Sequence, residues 1–291
     1  MTGILLIDKP SGWTSSDVVA KLRGILHERR IGHSGTLDPL ATGLLVVFVG
    51  RATRAAEFAE SHSKRYIAGL RLGLSTDTQD VTGRELSRSD RAVTAEELTR
   101  ALESFRGVIS QLPPMYSAVK VNGQRLYEIA RRGGQAERKP RDITIYSLEL
   151  TGRDGDDFIL DVSCSKGSYI RTLCSDIGDA LSCGGCMSSL RRIRAGEFSI
   201  DNAHTLAEVQ RAADAGEAEK LLLPIDSLFP SAARYTAGAA EEKRLRCGSE
   251  LKTALPDGEY RVYSAGGEFL ALCAAKNGVL KTIKNFFEVQ A

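Results

Sequence analysis

The feature that most limits what this chain can fold into is the run Gly32-His33-Ser34-Gly35-Thr36-Leu37-Asp38-Pro39-Leu40-Ala41-Thr42-Gly43, followed at once by Leu44-Leu45-Val46-Val47-Phe48-Val49. Glycines 32, 35 and 43 permit backbone angles closed to other residues, and Pro39 fixes the chain immediately after Asp38. The apolar run is short, rich in β-branched residues and ended by Gly50, so it reads as a buried strand. One carboxylate is therefore expected in a glycine-rich turn at the rigid edge of a sheet. Taken alone, Asp before Pro is also a common turn starter.

The remaining pattern is mixed. After Trp13-Thr14-Ser15-Ser16-Asp17, apolar residues at 18, 19, 22, 25 and 26 follow helical spacing, with Ser or Asp available as the N-cap. Thr94-Ala95-Glu96-Glu97 and Thr205-Leu206-Ala207-Glu208 have capping-box form before helical patterns. Tyr66 to Leu72, Ile143 to Thr151 and Phe158 to Cys164 read as strands, the last two joined by the turn-like Arg153-Asp154-Gly155-Asp156. Segregated strands and helices without a βαβ rhythm favour an α+β fold.

Composition sets bounds. With 291 residues, 42% hydrophobic and 26% charged, the chain can form one large core and a small second domain. The N-terminus has no basic leader and no run approaches a membrane span, so a cytoplasmic location is expected. The six cysteines (164, 174, 183, 186, 247 and 273) form no disulfide framework. Cys183-Gly184-Gly185-Cys186 lacks a second ligand pair for zinc and reads as turn packing. The net charge is only +2, yet Lys120 to Asp142 holds seven bases against three acids, and Lys166 to Arg194 five against two. Such stretches suit RNA phosphates, although basic faces are also ordinary on soluble proteins.

The Gly32 to Gly43 run resembles the active-site loop of pseudouridine synthases of the TruB family, which isomerise a uridine in the T-loop of tRNA. The likeness recurs in order along the chain. Leu5-Leu6-Ile7-Asp8-Lys9-Pro10-Ser11-Gly12 looks like the family's opening strand and turn, and Lys64-Arg65-Tyr66 matches the segment supplying its tyrosine. Leu72-Gly73-Leu74-Ser75-Thr76-Asp77-Thr78-Gln79-Asp80, Ser165-Lys166-Gly167-Ser168-Tyr169-Ile170-Arg171-Thr172 and Leu190-Arg191-Arg192 complete the set.

The resemblance implies Asp38 as nucleophile, Arg171 as its ion-pair partner, and Tyr66 as both a face for the flipped uracil and a hydroxyl near its C5 proton. Tyr169 and Leu190 match the walls of the uracil pocket, and His33 is placed to stack on RNA or the displaced nucleotide. Lys9, Lys64, Arg132, Lys139 and Arg191 are the expected RNA contacts. Read without the resemblance, Arg171 would be a surface arginine at a strand edge, and Tyr169 and Leu190 would be core. The isomerisation needs no metal, nucleotide or flavin, which agrees with the lack of a Walker loop or dinucleotide fingerprint. No cofactor is expected.

The domain reading is a pseudouridine-synthase-type mixed-sheet catalytic domain over 1–229, carrying a basic RNA-gripping insertion at about 118–142, and a small β-rich PUA-like domain over 230–291. Two prolines bracket a short apolar piece at Leu223 to Pro230, and Gly266-Gly267 and Asn277-Gly278 turns separate the strands beyond. That tail either binds RNA or only packs on the core. The expected enzyme is a monomer that acts on the T-arm of tRNA at position 55 without a guide RNA and without a membrane. A guide-dependent relative, or an RNA-binding protein that has lost catalysis, is the alternative.

Overall fold

The computed structural model describes residues 1–60 and 63–288. Among them, a nine-stranded mixed sheet forms the larger body. Its strands run in the order Gly3–Lys9, Thr42–Val49, Gly185–Ala195, Lys64–Leu72, Asp157–Cys164, Arg141–Asp154 and Gly107–Gln111, with Ile31–Ser34 and Phe198–Ser199 joined at the side. The neighbours are antiparallel except Gly185–Ala195 against Thr42–Val49, which run parallel over Arg191↔Thr42 and Arg192↔Gly43.

Near-continuous apolar runs at the start of this sheet reflect burial on both faces. Leu5, Ile7, Leu45 and Val47 pack on Val18, Leu22 and Ile25 of the helix Ser15–Leu26. The alternate residues Ile4, Leu6, Leu44, Val46 and Phe48 meet Phe229, Leu272 and Phe286 on the other face. Each such fully buried side chain contributes about 1.5–3 kcal/mol. At the far half of the sheet, the helices Ala95–Glu103 and Ile170–Ala180 cover Leu70, Ile145, Leu148 and Leu160.

Local chemistry starts the helices. Thr94 and Thr205 cap theirs with reciprocal bonds from Glu97 and Glu208, as the sequence pattern predicts. The first helix differs from the expected serine or aspartate cap: Thr14 is the N-cap, and Asp17 closes its capping box. The expected turn over Cys183 to Cys186 is shorter than read, because Gly185 and Cys186 already open the strand Gly185–Ala195; both thiols are buried, with Cys183 Sγ close to the Gly178 and Gly184 carbonyls, and no cluster of metal-ligating side chains occurs among the described residues. No helix of the described residues is long and apolar enough to cross a membrane.

A separate five-stranded sheet follows, in the order Ala233–Thr236, Gly258–Tyr263, Phe269–Lys276, Val279–Asn285, Leu251–Lys252. This β half-barrel has its own core of Leu245, Val262, Leu270, Cys273 and Leu280. Phe229 joins it to the larger body, lying edge-on to Phe58 at 5.2 Å and beside Phe286 at 6.2 Å.

Candidate active site

The segment carrying Asp38 is held by backbone and by two buried polar side chains. The sequence reading of a turn beginning at Gly32 needs correcting, because Gly32, His33 and Ser34 belong to the strand Ile31–Ser34, paired with Val46 to Val49. Gly32 has an ordinary strand conformation, so the turn starts at Gly35, whose φ of +69° favours glycine. Ser15 Oγ accepts from the Leu37 amide at 2.9 Å, and the Gly12 amide donates to the Pro39 carbonyl at 2.8 Å. The Lys9 ammonium donates to the carbonyls of Pro10 at 2.9 Å, Trp13 at 2.6 Å and Pro39 at 3.4 Å. Gly43, at φ +94°, closes the loop where a Cβ would collide with the Arg192 carbonyl oxygen.

Arg171 sits in the first turn of the helix Ile170–Ala180, and its side chain is only 5% exposed against 37% for Asp38. Its Nε meets Asp38 Oδ2 at 2.9 Å, and its Nη2 lies 3.4 Å from Asp38 Oδ1. The same guanidinium donates to the Thr78 carbonyl at 3.0 Å and the Tyr116 carbonyl at 2.7 Å. A planar fork reaches these acceptors together, which a point-charge ammonium does not. The preceding residue is pinned too: the Tyr169 amide donates to Gln111 Oε1 at 2.8 Å, and Gln111 Nε2 donates to the Tyr169 carbonyl at 3.0 Å. The result is a partly open carboxylate on a buried, fixed cation.

Tyr66 lies on the strand Lys64–Leu72, opposite Val162 on one neighbour and Arg192 on the other. Burial pushes its phenol pKa up, with the Arg192 charge pulling against it and Asp38 reinforcing the rise. Leu190 packs in the same apolar cluster as Leu37, Ala41, Tyr66 and Ile170. The structure thus brings the Asp38–Arg171 pair beside the apolar cluster that holds Tyr66 and Leu190, with the half-buried Tyr169 at the head of the arginine's helix.

The expected basic contacts fall into two groups. Lys9 is fully covered and braces the loop from inside, and Lys64 is buried with its ammonium on the Glu60 carbonyl at 2.8 Å. Burial lowers both amines to a pKa of about 8. Neither presents its ammonium as a surface phosphate contact, which corrects their expected role; sequence gives their charge and not their depth. Arg191 holds Asp8 bidentately at 3.0 and 2.7 Å and remains partly exposed. Arg132 and Lys139 are exposed in the basic insertion, where Tyr127 lies between Arg125 and Arg131. His33 is half-buried, and burial lowers its pKa; its Nδ1 has no hydrogen-bond partner among the described residues.

Sequence reading missed Ser15, Gln111 and Arg192 as site residues. Arg192 is the most consequential, being 1% exposed with Nε on the Leu44 carbonyl at 2.7 Å. Strand alternation carries a usable signal here, since Leu190 and Arg192 share a face and Arg191 points away.

The whole fold matches a chain in the crystal structure of a Cbf5-Nop10-Gar1 complex, with a TM-score of 0.75 and 25% identity over 99% of this chain and 85% of that one. A chain in the structure of an H/ACA RNP bound to a substrate RNA containing 2′-deoxyuridine gives 0.74 at 23%, over 99% and 86%. The profile described as TruB family pseudouridylate synthase (N terminal domain) matches residues 23–170, so this sheet and its aspartate loop are those of a pseudouridine synthase, an isomerase. The profile for the tRNA pseudouridylate synthase B C-terminal domain continues over 171–230. A protein of Clostridium kluyveri named tRNA pseudouridine synthase B is 40% identical over 98% of this chain and all of its own length. One of the same name from Ralstonia nicotianae is 42% identical over 96% and 92%. The chain belongs to the TruB family.

Proposed function

We propose that this chain isomerises the uridine at position 55 in the T-loop of tRNA, with Asp38 as nucleophile toward a flipped-out nucleotide. The observation that carries the reading is the half-open Asp38 carboxylate clamped by buried Arg171 next to Tyr66 and Leu190. A uridine stacked in a folded loop cannot reach this carboxylate, so it must leave its stack at a cost of a few kcal/mol. The N1 bond to the ribose then breaks, the ring turns over, and C5 joins the same carbon. Arg171 orients the carboxylate, Tyr66 offers its face and moves the C5 proton, and Leu190 and Tyr169 keep water from the detached base.

Exposed bases of the insertion, Arg132 and Lys139 among them, support a grip on RNA backbone, as does Arg191 at the rim. The bacterial relatives' shared name supports tRNA as substrate; the reading further has the protein act in the cytoplasm, as a monomer, without a guide RNA. The domain reading is 1–229 for catalysis and 230–291 as a PUA-like partner. The test is position-resolved pseudouridine mapping in an unmodified tRNA transcript, comparing wild type with Asp38→Asn at matched RNA binding. Product confined to the T-loop uridine, and lost in Asp38→Asn while binding persists, is the expected result. Tight binding with no product from the wild type sinks the reading.

A further inference from the structure

Arg192 is the largest fully buried side chain of the described residues, and none of the groups described so far explains why a guanidinium sits there. No carboxylate pairs with it among the described ion pairs. Its Nε is taken by the Leu44 carbonyl, whereas its Nη2 is buried with no hydrogen-bond partner among the described residues. A buried charged donor left unmet is costly, and where one persists it calls for a role. Gly35 makes room for it: a Cβ at that residue would lie 3.1 Å from Arg192 Nη1. Arg192 is therefore wedged beneath the loop of Asp38, and it is the cross-strand partner of Tyr66 on the same face of the sheet.

We infer that Arg192 is a positioning residue for the Tyr66 phenol, fixing its direction over the Asp38 loop and stabilising the phenolate that forms during the reaction. The inference rests on the reading of Tyr66 given under the proposed function. In the isomerisation C5 loses one proton and N1 gains one, so no net proton is consumed. The Tyr66 phenol can carry both transfers. Its O–H protonates N1 as the base leaves with the electron pair of the broken bond, and the resulting phenolate accepts the C5 proton once C5 has joined the sugar carbon. A fixed cation beside that oxygen lowers the cost of the phenolate where the tyrosine is buried. The charged or titratable groups around the phenol are Arg192 on one neighbouring strand, Cys164 on the other and Asp38 on the loop. Arg192 alone favours the ionised form. His33, Lys64 and Lys9 stand near the guanidinium, and its charge lowers the pKa of each.

Single-turnover rates on an unmodified tRNA transcript, taken across a pH series with full-length wild type, Arg192→Lys, Arg192→Gln, Tyr66→Phe and each double variant, test this. Lysine keeps the charge without the fork, and glutamine keeps a donor for the Leu44 carbonyl without the charge, so either folded variant suffices. The expected result is a loss of about tenfold or more in rate, as for other groups assisting proton transfer, with tRNA affinity unchanged and no further loss in the Tyr66→Phe background. The alkaline fall in rate should move to higher pH in Arg192→Gln, because burial and Asp38 then hold the phenol protonated unopposed. Equal losses with and without the Tyr66 hydroxyl, or a loss confined to tRNA binding, overturn the inference. A wild-type rate in Tyr66→Phe itself would remove the reading of Tyr66 on which it rests, an outcome distinct from both.

Discussion

Replacing Arg171 by lysine keeps a positive charge and removes a shape. The guanidinium now satisfies three acceptors from distant parts of the chain: Asp38, the Thr78 carbonyl and the Tyr116 carbonyl. Hydrogen bonds made by a charged group contribute about 1.5–3 kcal/mol each. A lysine ammonium in this position keeps one of the three, so two are lost, and water reaching the partly open carboxylate offsets some of that. A net destabilisation of about 2–4 kcal/mol follows. For a chain of this size that lowers the unfolding temperature by roughly 5–15 °C. Freed from its fork, Asp38 shifts from its productive position, and displacement of that kind costs about 100-fold in rate. The assay is single-turnover pseudouridine formation on a tRNA transcript, paired with thermal unfolding and filter binding. We expect the rate to fall by about that factor while tRNA affinity stays within about threefold, since the interaction is used at the reacting centre. A rate within about threefold of wild type, at unchanged melting temperature, would refute the clamp as what holds the carboxylate.

Two further perturbations separate the loop's braces from its chemistry. Gly43→Ala adds a methyl against the Arg192 backbone at φ +94°; we expect a loss of about 2–5 kcal/mol in denaturant unfolding, whereas a loss below about 0.5 kcal/mol would show that the strands part freely there. Lys9 has a pKa of about 8 in the folded chain against an ordinary lysine value of 10.5, so between those values the unfolded chain binds more protons and stability rises with pH. The stability of wild type relative to Lys9→Met, followed by urea unfolding, should accordingly rise from pH 8 toward 10.5; a flat or falling difference contradicts a buried ammonium.

The Asp38–Arg171 pair, proposed as catalytic, was legible in the sequence through the family likeness, because both residues stand in long motifs whose residue types are chemically constrained. Helix starts at Thr94 and Thr205 were legible for a local reason, the capping box being written within four residues. Depth was not legible. Lys9 and Lys64 read as RNA contacts because charge is a property of the residue, whereas burial depends on strands brought together from elsewhere. Gly32 suggested an early turn, yet a glycine also tolerates an ordinary strand, and pairing with Phe48 decided the matter. Arg192 hid beside Arg191: two identical neighbours have opposite fates on a strand, one bound to Asp8 at the rim and one sealed inside. Only the assembled sheet tells them apart.

The strand Gly185–Ala195 lies between Thr42–Val49 and Lys64–Leu72, two strands made long before it. Thr42 Oγ1 and the Leu190 carbonyl, which meet across that seam, are 148 residues apart in the chain. At ribosomal rates of about 5–20 residues per second, roughly 7–30 seconds separate their synthesis. Throughout that interval the aspartate loop and the tyrosine strand have no common neighbour: Thr42–Val49 already lies between Gly3–Lys9 and Ile31–Ser34, whereas Lys64–Leu72 keeps one unpaired edge. The nascent chain therefore cannot assemble this arrangement by degrees as it emerges: the loop and the tyrosine strand are joined in one late step, and a product truncated before residue 185 would leave the Lys64–Leu72 edge open and prone to aggregation. The profile match changes from one segment to the next after residue 170, but the sheet does not divide there. Neither segment holds both Asp38 and Arg171, so the proposed site is indivisible at the very boundary where the sequence looks most separable.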